Sequence, residues 1–121
     1  MEEGLSVSGF ETLLYSTQDG HARITLNRPD KLNALSAETM ALFEAALIRF
    51  RDTPDLKVML VRSTGRYFCS GADMKSGGSP RDYPRTPSGI RENHRLQLNG
   101  MQRIYDEMEH VEKPIVCAIH A

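Results

Sequence analysis

The run Val58-Met59-Leu60-Val61 contains no polar residue and is β-branched at both ends, the pattern of a strand buried on both faces. Such a strand belongs inside a sheet with cover above and below it. Ahead of it, Met40, Phe43, Leu47 and Phe50 recur every three or four residues and mark the buried face of a helix over Ala37–Arg51. Ser36 is placed to cap that helix, Glu38 suits its first turn, and Thr53-Pro54 ends it. Earlier still, Glu11–Thr17 and Ala22–Asn27 are β-prone runs joined through Gln18-Asp19-Gly20-His21, and Asp-Gly between two such runs signals a hairpin. Arg28-Pro29-Asp30-Lys31 then turns the chain out of the sheet, because proline cannot extend a central ladder. Strand, helix and strand in this order predict a crossover α/β unit.

Past the buried strand, Ser76–Gly89 is rich in Gly, Ser, Pro and Arg and reads as a mobile surface loop. A second helix is expected from about Arg91 to His110, with Met101, Ile104, Met108 and Val111 as its stripe and Leu96 and Leu98 upstream. Lys113-Pro114 stops it. Ile115–Ile119 reads as another buried strand, and it runs directly into His120-Ala121 with no closing helix. A parallel sheet needs cover on both faces, so the expectation is one domain over residues 1–121, cut within its core. A chain of 121 residues still suffices for a modest core, with roughly two-thirds of the unfolded surface buried.

A net charge of −1 argues against a broad basic surface for nucleic acid. No apolar run approaches the roughly 18–20 residues that span a bilayer, so no membrane partner is expected. Met1-Glu2-Glu3-Gly4 is acidic and lacks the basic flank of a signal peptide. Cys69 and Cys117 have no metal-ligand spacing around them and read as free thiols. The expected location is the cytoplasm.

Four stretches, in order, carry a resemblance. They are Ile24-Thr25-Leu26-Asn27-Arg28-Pro29 with Lys31-Leu32-Asn33-Ala34-Leu35-Ser36; Val58–Arg62 with Gly65-Arg66-Tyr67-Phe68-Cys69-Ser70-Gly71-Ala72-Asp73-Met74-Lys75; the helix at Arg91–His110; and Lys113-Pro114-Ile115-Val116-Cys117-Ala118-Ile119-His120. Together they resemble the amino-terminal part of the crotonase superfamily, the enoyl-CoA hydratase/isomerase family, over about residues 10–121. The resemblance implies an α/β fold with a layered ββα repeat, present here in part, and an acyl-coenzyme A substrate. It implies no cofactor beyond the coenzyme A of the substrate itself, and a homotrimer or hexamer for the complete protein. Family scaffolds host many reactions, so the ligand class follows more directly than the chemistry. Hydration of a 2-enoyl-CoA is the first expectation, isomerisation the second, and a non-catalytic acyl-CoA-binding protein the rival from another class.

By the same resemblance, the backbone N–H of Ala72 is the first oxyanion donor. Charge that develops on a thioester carbonyl is stabilised by such preorganised donors, and Ser70-Gly71-Ala72 is small enough to admit one. Carbonyls near Ser70 and Ala72 would face the adenine amine, with Gly71, Asp73 and Met74 in the same segment, while Leu32 and Ala34 would line the pantetheine path. Lys31 and Lys75 are candidates for phosphate contacts, acting as point charges, or are simply solvated. The second oxyanion glycine and the acidic residues of the hydratases would follow Ala121.

Other residues read as structural. Asn33 holds its own turn through a side-chain–backbone bond. His120 ends a strand, His21 lies in a hairpin turn, and His94 and His110 are too far apart on their helix for a metal pair. Cys69 has no His or Asp partner at a recognisable spacing and reads as a small buried residue. Arg81, Arg85, Arg91 and Arg95 face either phosphates or solvent. No metal site is expected.

Overall fold

The computed structural model describes residues 5–7, 10–72 and 84–121. Among these, five strands form one sheet in the order of the chain: β1 (Leu5–Val7), β2 (Phe10–Gln18), β3 (His21–Leu26), β4 (Val58–Ser63) and β5 (Ile115–Cys117). The first two pairings are antiparallel and the last two parallel. Two helices, α1 (Ala37–Arg51) and α2 (Pro87–His110), make the connections into β4 and β5.

The hairpin closes as expected. Asp19 and Gly20 both have positive φ, 50° and 83°, which lets a two-residue turn match the twist of the strands it joins. Gln18 then faces His21 across the ladder. After β3, Pro29–Lys31 form one turn of 3₁₀ helix that ends at Leu32 in the left-handed region. Helix α1 starts where Ser36 Oγ accepts from the Thr39 amide at 3.1 Å. Its Met40, Phe43, Leu47 and Phe50 are all buried, joined by Leu42 and Ala46. They pack with Leu13, Tyr15, Ala22, Ile24, Leu26, Met59 and Val61 of the sheet into the single core cluster.

Lys113 closes α1 from a distance. Its ammonium donates to Phe50 O at 2.8 Å and Thr53 O at 2.9 Å, over the Phe50 ring. Each carbonyl also accepts a backbone N–H, Phe50 O from Thr53 at 3.4 Å and Thr53 O from Leu56 at 3.1 Å, and the cation adds to these at the negative end of the helix.

Four expectations are corrected. Strand β4 buries Met59 and Val61 but leaves Val58 and Leu60 only half-buried, because helix packing covers one face of the sheet among the described residues. Ile115–Ile119 is not a buried strand: pairing stops at Cys117, Val116 is 52% exposed, and Ile119 is more open still. It lies at the outer margin of the sheet, where apolar composition alone cannot bury it. Helix α2 begins at Pro87 rather than Arg91, so the end of the supposed loop is helical. Thr86 Oγ1 accepts from the Gly89 amide at 3.1 Å, and Pro87 suits the first helical position. Lastly, Leu98 is 49% exposed, and α2 turns Met101, Ile104 and Met108 to the core, with Val111 just past its end and Asn93 as a buried polar residue. Residues 76–83 of the expected loop lie outside the described residues.

Candidate functional site

Two irregular segments meet at the ends of β3 and β4 that point away from the hairpin turn. One is 27–36, between β3 and α1; the other is 64–72, after β4. Parallel pairing of the strands delivers both to the same end of the sheet. Small parts then dock them. Thr64 donates its amide to Leu26 O at 2.9 Å, and its hydroxyl lies 3.0 Å from Asn27 Oδ1.

Asn33 lies at the junction. It is 2% exposed, has a φ of 55°, and uses both ends of its amide. Oδ1 accepts from the Arg28 N–H at 2.7 Å, closing its own turn as expected. Nδ2 reaches across to donate to Thr64 O at 2.7 Å and Tyr67 O at 2.8 Å. A buried amide thus satisfies three backbone groups in two segments. The Arg28 guanidinium adds a bond to Ala34 O at 2.9 Å.

Leu35 and Ala72 form an isolated parallel bridge beyond this junction, with Leu35 N donating to Gly71 O at 2.8 Å. In a parallel bridge only one of the two facing residues directs its N–H and C=O at the other chain. Here that residue is Leu35, so the Ala72 amide points away from it. Ala72 is exposed, and among the described residues its N–H has no hydrogen-bond partner. Gly71, with φ at +100°, makes the bend that produces this orientation, and its own N–H is 3.4 Å from Cys69 Sγ.

The expected site residues therefore divide. Leu32 and Ala34 are brought beside Ser70, Gly71 and Ala72 through the Leu35 bridge. Leu32 is 47% exposed, Ala34 half-buried, and Ser70, Gly71 and Ala72 are open. Lys31 is exposed on the same turn. Asp73, Met74 and Lys75 lie outside the described residues. Among those described, no three His, Cys, Asp or Glu side chains group as a metal site, and no helix is long and apolar enough to cross a membrane.

Neighbouring side chains support the segment. His120 Nε2 is 2.9 Å from Gly65 O, and since a carbonyl only accepts, that nitrogen carries the proton. The His120 carbonyl in turn accepts from Phe68 N at 3.2 Å. His120 thus has a bracing role. Burial pushes the Tyr105 phenol above its ordinary value, and the nearby Cys69 adds to the shift. Arg95 pairs with Glu92 on α2 rather than standing free for a phosphate.

Sequence reasoning missed the cross-segment donors of Asn33, the bridge partner Leu35, and the reach of Lys113. A hydrogen bond between distant residues leaves no local periodicity to read.

Comparisons with known proteins agree with one another. A family model described as enoyl-CoA hydratase/isomerase matches residues 16–120. A peroxisomal Delta(3,5)-Delta(2,4)-dienoyl-CoA isomerase from Arabidopsis thaliana is 30% identical over 122 residues, covering 95% of this chain and 42% of the relative. A probable enoyl-CoA hydratase from Mycobacterium tuberculosis is 34% identical over 82 residues, 68% of this chain and 32% of the relative. Among solved structures, an enoyl-CoA hydratase/isomerase from Xanthobacter autotrophicus Py2 superposes with a TM-score of 0.76 at 29% identity, covering 93% of this chain and 39% of that one. The chain spans less than half the length of each of these relatives.

Proposed function

The chain belongs to the enoyl-CoA hydratase/isomerase family, and from that premise we propose that it forms the oxyanion-donor and coenzyme A-binding part of an enzyme acting on acyl-CoA thioesters. The observation that carries the reading is the outward N–H of Ala72, without a partner among the described residues, on an open turn. Negative charge on a thioester oxygen held there would meet a donor already in place, with little reorganisation.

Hydration of a 2-enoyl-CoA is the first reading: water adds across the α,β double bond through an enolate whose oxygen rests on Ala72. Leu32 and Ala34 line the pantetheine, carbonyls near Ser70 and Ala72 face the adenine amine, and Lys31 and Lys75 are the candidates for phosphate contacts. Isomerisation of a double bond is the second reading, favoured by the dienoyl-CoA isomerase that aligns with nearly the whole chain. Both place negative charge on the same thioester oxygen, as an enolate in hydration and a dienolate in isomerisation, and use no cofactor. The protein acts in the cytoplasm, as a trimer or hexamer when complete.

Both readings also need a second donor and acid/base groups, which the family's pattern puts after Ala121. One donor is worth about 10²–10³ in rate and does not move protons by itself. The 121-residue chain alone is therefore expected to show no turnover. The test compares it with the protein as its full reading frame encodes it. Each is incubated with a 2-enoyl-CoA and, separately, a 3-enoyl-CoA, against heat-treated controls. A 3-hydroxyacyl-CoA product supports hydration, and a migrated double bond supports isomerisation. Neither product from the complete protein would overturn the enzymatic reading.

A further inference from the structure

We infer that Asn33 is a positioning residue for the oxyanion donor. Its side-chain amide sets the register in which the coenzyme-binding turn meets the donor turn, and so fixes where the Ala72 N–H points. The catalytic consequence rests on the acyl-CoA reading above, but the structural part does not.

Nothing regular holds the two segments together. Segment 27–36 is a 3₁₀ turn followed by two left-handed residues, Leu32 and Asn33, both with φ at 55°. Among the described residues, segment 64–72 continues no strand past Ser63, and besides the Thr64 hydroxyl bond to Asn27 Oδ1 it has one β-bridge to the other, Leu35 to Ala72. A single bridge has no ladder to fix its register. Asn33 fixes it from two residues away. With Oδ1 held by Arg28 N, the amide plane has one setting, and Nδ2 then meets Thr64 O and Tyr67 O together. Tyr67 O is a buttress point five residues before Ala72. The side chain is as buried as the core leucines, although the acceptor residue Tyr67 is 38% exposed, so the donor side of these bonds is shielded from water.

No other residue type fits all of this. Aspartate tolerates the left-handed backbone and keeps the bond from Arg28 N, but turns an oxygen toward two carbonyl oxygens. Glycine keeps the backbone conformation and loses every side-chain bond. The two variants thus separate the side chain's role from that of the φ angle.

The experiment uses Asn33→Gly and Asn33→Asp. Circular dichroism checks folding, and amide hydrogen exchange by NMR reads Leu35, whose N–H is bound to Gly71 O, against Leu47 inside α1. Protection at Leu35 is expected to fall by about tenfold or more in both variants with Leu47 unchanged, since lost buried bonds open the site locally. Equal protection at Leu35 in variant and native protein would overturn the inference, whatever the activity. If both variants are unfolded, Asn33 is a general stability element and the inference also fails.

Turnover is then measured in the protein as its full reading frame encodes it. Expected is a kcat loss of about 10–10²-fold, with KM for the enoyl-CoA changed by less than about threefold. Asn33→Asp should regain kcat as pH is lowered, since the protonated carboxyl can donate to Thr64 O or Tyr67 O. A rise in KM with kcat unchanged, or no low-pH recovery by a folded Asn33→Asp, would overturn the positioning role. If the native protein shows no turnover with any enoyl-CoA, the functional reading fails, and the Leu35 exchange result still decides the structural claim.

Discussion

The amide of Leu35 donates to the carbonyl of Gly71 at 2.8 Å, joining the turn before α1 to the turn after β4. Because Leu35 is the residue that bonds across, Ala72 beside it has its own N–H turned outward. The contribution proposed for Ala72 is thus made by the backbone, while its side chain only has to be small. Substitution by Ser or Gly should change turnover little. Ala72→Pro removes the hydrogen itself, and in the complete protein kcat should fall by about 10²–10³. Circular dichroism and a coenzyme A titration must show that the variant folds and binds; near-normal turnover in such a protein would remove Ala72 from the mechanism.

Gly65 should tolerate no side chain. Its φ is +79°, and a Cβ there would lie 2.6 Å from Pro29 Cβ. Since the carbonyls on either side of this tight stretch are those that Asn33 holds, the turn cannot easily move aside. Gly65→Ala is expected to destabilise the chain by about 1–3 kcal/mol, the range for a non-glycine residue forced into this region. Urea unfolding followed by circular dichroism gives the shift.

How much of this was legible beforehand depended on how local each determinant is. Helix α1 was readable to its ends because its Ser36 cap and its Met40-Phe43-Leu47-Phe50 stripe all lie in one short stretch. The hairpin was readable from Asp19-Gly20 for the same reason. The start of α2 is obscured in the sequence because the Gly/Ser/Pro content before it outweighs the Thr86-Pro87 cap. The exposure of Val116 could not be read from its type, since burial is set by neighbours rather than by the residue. Within the site, the motif pointed to Ser70–Ala72 and to Leu32 and Ala34, but the bond pairs Asn33–Tyr67 and Leu35–Gly71 exist only once parallel pairing brings the strand ends together.

Lys113 offers a test of how α1 is ended. Lys113→Met keeps the aliphatic stem over Phe50 and removes both bonds to Phe50 O and Thr53 O. Hydrogen bonds from a charged donor are worth more than neutral ones, and the expected loss is about 1–3 kcal/mol. The urea midpoint should fall without a change in slope. An unchanged midpoint would show that the Thr53 and Leu56 N–H groups, with solvent, serve those carbonyls equally well.

Tyr15 gives a pH dependence. The residue is buried against the core, and burial pushes its phenol above the ordinary value of 10.0. Ionisation is therefore harder in the folded chain than in the unfolded one. Stability from this group is intact below the ordinary value, and declines as pH rises through it toward the higher folded value. Among the described residues the hydroxyl has no hydrogen-bond partner. Tyr15→Phe should accordingly leave the urea midpoint at neutral pH unchanged or raised, and flatten its alkaline decline. A loss of more than about 1 kcal/mol at neutral pH would mean that the hydroxyl is satisfied after all.

The order of strands also sets an order of events in time. The β2–β3 hairpin closes over the two residues Asp19 and Gly20, so its contacts cost little loop entropy and can form within microseconds. The parallel β3–β4 pairing must wait until the chain has passed through all of α1, and it pairs His21 with Val58 only then. Every element of the oxyanion turn lies downstream of that second step. The Ser70–Ala72 turn thus depends on that longer-range closure, which is what brings segments 27–36 and 64–72 together.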